Sequence, residues 1–197
     1  MGKTTAANAF RSLNVCVFDA DKTVHNLMKP GGAAVAEILK AFPDIALNGG
    51  IDREALVTII LADKTRLKKL ENILHPLVKE KQNSFLAISA RRNERLVVLD
   101  IPLLFEIGGE RQCDGVVVVS APAIIQKRRV LGRPNMTTEH FQMILDLQIE
   151  NRRKCCRADF VVQTGLGRLH SLRTITTIVK KTKNWSQRHW LPIYKKL

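Results

Sequence analysis

Three groups of residues have the types and spacing that phosphate chemistry requires. The first is Gly2-Lys3-Thr4-Thr5, which runs straight into a helical pattern over 4–13. The N-terminus of a helix offers backbone N–H groups to an anion, a lysine beside it reaches the β- and γ-phosphates, and the adjacent hydroxyl can hold Mg²⁺. Only the second half of the motif GxxxxGK[ST] is present, and a GK[ST] triplet occurs by chance in about one chain of this length in ten. Its place at the opening of the first helix is what gives it weight; the plainer reading is a charged N-terminus with Thr4 capping a helix. The second group is Asp19-Ala20-Asp21, at the C-terminal end of the apolar run 14–18, the sheet edge at which α/β proteins bind ligands. A carboxylate there can take up a substrate hydroxyl proton or orient that hydroxyl, and it can equally cap a helix. Asp100, which closes the apolar run 96–99, has the look of a Mg²⁺-side carboxylate, with the same alternative. The third group is arginine: Arg128, Arg129 and Arg133, then Arg152, Arg153 and Arg157. On a lid such residues clamp transferring phosphates; on most helices they form a solvated face.

The elements that must hold these groups follow from hydrophobic period and caps. Apolar runs at 14–18, 96–100, 115–119 and 158–162 predict buried strands, and the stretches between them predict helices. Helices are expected over 4–13, 32–42, 52–62 with Asp52 as N-cap, 63–74, 76–91, 122–131, 138–153 and 168–181. Pro76 fits the first position of a helix, which would place His75 at a helix junction. Strands alternating with helices imply an α/β domain with a parallel sheet, and the all-helical stretch from 31 to 92 reads as an insertion with its own core.

Composition narrows the class of protein. With 45% hydrophobic and 25% charged residues the chain is globular in make-up. No apolar run is long enough for a membrane span and no secretory leader opens the sequence, so a cytoplasmic protein without membrane contact is expected. Cys16, Cys113, Cys155 and Cys156 have no zinc or CxxC spacing, and structural disulfides are not expected. The 32 basic and 18 acidic residues leave a net charge of +14, which favours polyanionic partners: nucleic acid, an anionic membrane or phosphorylated small molecules.

Taken together, MGKTT at the start, VFDADKTVH at 17–25, LENILHPLV at 70–78, LDIPLLFE at 99–106, VVVVSAP and QKRRVLGRPNMT within 116–137, ILDLQ at 144–148 and ADFVVQTG at 158–165 resemble the dephospho-coenzyme A kinases. The resemblance spans nearly the whole chain. It implies a P-loop kinase-type parallel sheet flanked by helices, with a helical substrate domain and a helical lid. The α/β core would be 1–30, 93–121 and 154–182, the substrate domain 31–92, the lid 122–153 and a basic tail 183–197. It implies ATP and Mg²⁺ as cofactors and transfer of the γ-phosphoryl group to the ribose 3′-hydroxyl of dephospho-coenzyme A. On that resemblance Gly2, Lys3, Thr4 and Thr5 take the phosphate-loop role, with Thr4 and Asp100 on the metal. Asp21 orients or deprotonates the 3′-hydroxyl, with Asp19 beside it, and Lys3 and Arg133 act on the phosphates. His75 lines the substrate domain, and the segment from Pro102 to Glu106 borders the acceptor, with Leu103 and Leu104 packing. Members of the family begin with an apolar strand and GxxGxGK[ST], so the resemblance also implies that the first, central strand and half the phosphate loop are missing here. The start is then either mis-assigned or the product is crippled. Two other readings compete: a partner-binding remnant, and a basic nucleic-acid binder using Lys180, Lys181, Lys183, Lys195 and Lys196 with the tail aromatics. The second leaves the DAD, HP and PLLFE segments without a purpose, which counts against nucleic acid as a partner.

Overall fold

A computed structural model describes residues 2–47, 50–132, 134 and 136–185. In chain order the elements are α1 (Lys3–Ser12), β1 (Cys16–Asp19), α2 (Ala20–Leu27), α3 (Val35–Ala41), β2 (Ala46–Leu47), β3 (Gly50–Ile51), α4 (Arg53–Ala62), α5 (Lys64–Arg91), β4 (Val97–Asp100), β5 (Val117–Ser120), α6 (Ala123–Leu131), α7 (Thr138–Asp146), α8 (Asn151–Arg157), β6 (Phe160–Gln163) and α9 (Arg168–Thr182). They form two compact units, one of Met1–Val17 with Asn93–Leu197 and the other of Phe18–Arg92.

The first unit is the α/β layer. β5 and β6 run parallel, with Val117 opposite Phe160 and Ser120 opposite Gln163, and β1 shares a second pair with β4. Short runs of Val and Phe suit such strands because branched and aromatic side chains fill a pleated surface. Ala6 and Phe10 of α1 and Ile175, Ile178 and Val179 of α9 recur at helical spacing. They bury against Val15 and Val162, with Val17, Val98, Val117 and Val119 packed around them. Full burial of a valine, isoleucine or phenylalanine side chain stabilises by roughly 1.5–3 kcal/mol. A smaller cluster of Phe105, Val116 and Val118, joined by Leu104, Cys155 and Ile149, ties the segment after β4 to α8. Beyond α9 the Trp185 ring lies on Phe160, with centroids 5.6 Å apart and planes 25° apart. Gly115 leaves room for that ring, since a Cβ there would come within 2.6 Å of it. The remainder of the basic tail, 186–197, lies outside the described residues.

The helix expected over 138–153 is two helices. Leu147 and Gln148 close the last turn of α7, and the next amide, that of Ile149, donates to the Glu106 carboxylate at 2.9 Å instead of continuing the ladder. A partner distant in sequence breaks this helix, so no Gly or Pro marks the site.

The second unit has its own core: Leu27, Ala34, Ile38, Phe42, Ile45, Leu56, Leu70 and Leu74. Asp52 caps α4 as expected, accepting from the Glu54 and Ala55 amides. The two helices expected on either side of His75 are one 28-residue helix, α5, with Pro76 inside it. His75 is therefore not at a junction. Pro76 deletes one helical hydrogen bond at a cost of about 3 kcal/mol, but it sits on the exposed face. Leu70, Ile73, Leu74, Leu77 and Val78, on both sides of it, pack into the same cluster and hold the helix continuous. The antiparallel pair β2–β3, Ala46 opposite Ile51 and Leu47 opposite Gly50, has no counterpart among the predicted elements. Its sequence signal is Asn48-Gly49, a strong hairpin dipeptide between two short apolar pairs.

Candidate phosphate-binding site

At the start of α1, Gly2 is the N-cap residue with φ 91° and ψ 24°, a left-handed conformation that a side chain disfavours. No side chain caps the first turn, and the Gly2 carbonyl accepts from Ala6 at 3.0 Å to begin the helix. The first-turn amides are thus aligned at the positive end of the helix dipole. Lys3 Nζ lies 3.1 Å from Asp100 Oδ1, the residue that ends β4. The Asp100 side chain is only 9% exposed and that of Lys3 37%, so the lysine reaches a nearly buried carboxylate while keeping contact with solvent. Thr4 and Thr5 point out of the fold. Two groups singled out separately in the sequence, the glycine-lysine turn and the carboxylate after the second apolar run, thereby meet.

Thr164, which received no role from the sequence, forms the floor of this turn. A Cβ on Gly2 would stand 3.3 Å from both Cγ2 and Oγ1 of Thr164. The Thr164 hydroxyl donates to the Ser120 carbonyl at 3.1 Å and accepts from Arg129 Nη1 at 3.2 Å, while Arg129 Nη2 donates to the Thr164 carbonyl at 3.1 Å. Arg129 thus grips a single buried residue with both arms of its guanidinium. Arg157 likewise has a structural partner: it bonds Glu110 and lies 4.5 Å over the Phe105 ring. Arg152 and Arg153 are exposed on α8, and Arg133 lies outside the described residues.

Asp19 and Asp21 belong to the other unit. Asp19 caps α2, accepting the Lys22 amide at 2.9 Å, and Asp21 stands exposed one turn position further on. His75 is exposed on α5. In the segment after β4, Pro102 is exposed, Leu104 packs as expected, and Leu103 does not: it is 37% exposed with φ 54°, in a region few non-glycine residues occupy. Glu106 is turned to the protein rather than to an open surface. Its Oε1 accepts from Lys154 Nζ at 2.8 Å and from the Ile149 amide, in surroundings that leave the two side chains 14% and 12% exposed. Burial raises the Glu106 pKa, but the bonds from Lys154 and Ile149 outweigh it and hold the carboxyl below its ordinary value. None of the four cysteines forms a disulfide. No helix among the described residues is long and apolar enough to cross a membrane.

Comparison with known proteins places this geometry in context. The family model described as Dephospho-CoA kinase matches residues 1–167. A protein of Paramagnetospirillum magneticum named Dephospho-CoA kinase is 51% identical over 78% of this chain and 73% of its own length. One from Bartonella henselae with the same name is 41% identical over 91% of this chain and 92% of its own. Among solved structures, a Thermus thermophilus protein superposes with a TM-score of 0.79 at 32% identity, covering 91% of each chain. A Dephospho-CoA kinase from Campylobacter jejuni does so with a TM-score of 0.67 at 26% identity, covering 92% of each.

Proposed function

The chain belongs to the dephospho-coenzyme A kinase family, and from that premise we propose how its residues divide the work of the reaction. The reaction is the ATP-dependent phosphorylation of the ribose 3′-hydroxyl of dephospho-coenzyme A, the last step of coenzyme A synthesis. The chain is a phosphotransferase, and we assign it to the cytoplasm.

The observation that carries the assignment of roles is the Lys3–Asp100 contact of 3.1 Å at the uncapped start of α1. The first-turn amides and Lys3 hold the ATP phosphates, since oriented N–H groups and a lysine supply charge without reorganisation during transfer. Mg²⁺, when bound, neutralises charge on the β- and γ-phosphate oxygens. The Thr4 hydroxyl and the Asp100 carboxylate are hard oxygen donors of the kind Mg²⁺ takes, and an ion that keeps its waters and phosphate oxygens needs only one or two protein ligands. The described residues contain no group of three acidic, His or Cys side chains that would make a complete cage. Asp21 orients the acceptor 3′-hydroxyl and takes up its proton, with Asp19 fixing the helix on which Asp21 rides. Acceptor-lining roles are given to His75 in the one unit and to the Pro102–Glu106 segment in the other. Within that segment, exposed Pro102 and Leu103 contact acceptor, while Glu106 holds Lys154 and acts through the backbone. Arg133 serves the transferring phosphate.

Purified protein, MgATP and dephospho-coenzyme A should yield ADP and coenzyme A in equal amounts, followed by coupled ADP assay and by mass spectrometry of the product. Turnover with dephospho-coenzyme A no greater than without it would reject the reading. Phosphate arriving anywhere but the 3′-oxygen would reject the role given to Asp21.

A further inference from the structure

We propose that Thr164, clamped by Arg129, is a positioning residue for the nucleotide phosphates. It acts through Gly2, and this inference rests on the phosphate role given above to the start of α1. The hydroxyl has two fixed engagements, donating to the Ser120 carbonyl at 3.1 Å and accepting from Arg129 at 3.2 Å, so its rotor is set. With the hydroxyl set, the methyl group is set as well. The two faces of Thr164 that Gly2 meets are Cγ2 and Oγ1, each 3.3 Å from the place a Cβ would take. Thr164 is 7% exposed and directly follows β6, whose last residue, Gln163, is held in register against Ser120. The support beneath Gly2 is therefore the end of the β5–β6 pair.

The left-handed turn at Gly2 aims the amides of Lys3 and Thr4, and nothing in its own side chain holds it there. A stiff neighbour must therefore keep the turn from relaxing. Arg129 supplies the stiffness, because a planar fork that bonds the hydroxyl and the carbonyl of one residue fixes both its side chain and its backbone. Lysine, with a single rotating ammonium on a flexible stem, lacks the rigid fork that holds both acceptors in one plane. Asn151 extends the support by donating to the Ser120 hydroxyl at 2.8 Å. Two segments distant in sequence thus converge on the residue beneath the phosphate turn, the end of β5 and the last turn of α6, and the start of α8 braces the first of them.

The test compares Thr164→Val, Thr164→Ser and Arg129→Lys in the full chain. Equilibrium binding of MgATP without acceptor is measured first, then KM for each substrate. Thr164→Val keeps the shape against Gly2 and deletes the hydroxyl; Thr164→Ser keeps the hydroxyl. Thr164→Val removes both hydroxyl bonds, to the Ser120 carbonyl and from Arg129, and should weaken MgATP binding by at least about five- to tenfold. KM for dephospho-coenzyme A should change less than about twofold, as for a site remote from the phosphates, with Thr164→Ser returning MgATP affinity most of the way to wild type. Arg129 is exposed on α6 and its replacement spares the core, so Arg129→Lys provides the same readout should Thr164→Val fail to fold. A purely structural role would lower the melting temperature and leave MgATP affinity of the folded fraction at the wild-type value. That result, or equal loss for both substrates, overturns the proposal. Failure of the kinase reading would appear separately, as absent turnover in the wild-type chain, while MgATP affinity continues to report on Thr164.

Discussion

Asp19 accepts the Lys22 amide and so caps α2, whereas Asp21 stands exposed in the first turn of the same helix. The two carboxylates of one short motif should separate under mutation. Asp21→Asn is expected to lower kcat by about 10²–10⁴-fold, the range for a general base or hydroxyl-orienting group, with only a small loss of stability from removing one first-turn charge. Asp19→Asn keeps a good capping residue, and Asp19→Ala should cost about 1 kcal/mol of stability, the usual price of a lost cap. Steady-state kinetics beside thermal melts check both, and a larger kcat loss at Asp19→Asn would exchange the roles. Lys3 carries a double duty of another kind. Lys3→Met leaves the Asp100 carboxylate, 9% exposed, without this cation, so turnover and stability should fall together. Adding Asp100→Asn should recover part of the melting temperature and none of the turnover, a pattern that a double-mutant cycle reads directly.

Among the elements, those governed by local rules were legible in the sequence. Asp52 at the head of α4 and the strands ending at Asp19 and Asp100 announced themselves because caps and apolar runs are short-range signals. The continuity of α5 through Pro76 and the break between α7 and α8 were not legible, since a shared core decides the first and the Glu106 carboxylate the second. Both can be tested. If packing carries α5 across Pro76, Pro76→Ala restores a helical hydrogen bond on an exposed face and should stabilise the protein by about 1–3 kcal/mol; a lower melting temperature would show that the proline suits its site. For Glu106, the folded-state pKa lies below the ordinary value, so its contribution to stability is complete above the unfolded pKa of about 4.3 and is lost as pH falls through the folded value. Relative to Glu106→Gln, the wild type should therefore lose stability on acidification below about pH 5. Parallel denaturation curves for the two proteins would refute this clasp.

At the scale of the molecule, the candidate groups fall in two units, with Lys3, Asp100 and Thr164 in one and Asp19, Asp21 and His75 in the other. The motif strings could name these groups but could not reveal Thr164, because its part depends on contact with Gly2 and Arg129 across the fold. If the two ligands divide as proposed, hydrogen exchange should slow at the start of α1 and around 160–166 when MgATP is added. Dephospho-coenzyme A should slow exchange within 18–92 and around Leu103, the residues given to the acceptor; slowing there by MgATP instead would exchange the two ligands. The ring stack at the end of α9 offers a way to watch the first of these events. Trp185 is one of two tryptophans in the chain and rests on Phe160, the first residue of β6, the strand that ends just before Thr164. Once the other, Trp190, is replaced by phenylalanine, the remaining indole becomes an intrinsic fluorophore attached to the strand beneath the phosphate turn. Its emission and quenching by iodide would then follow the integrity of β6 in real time, without a label.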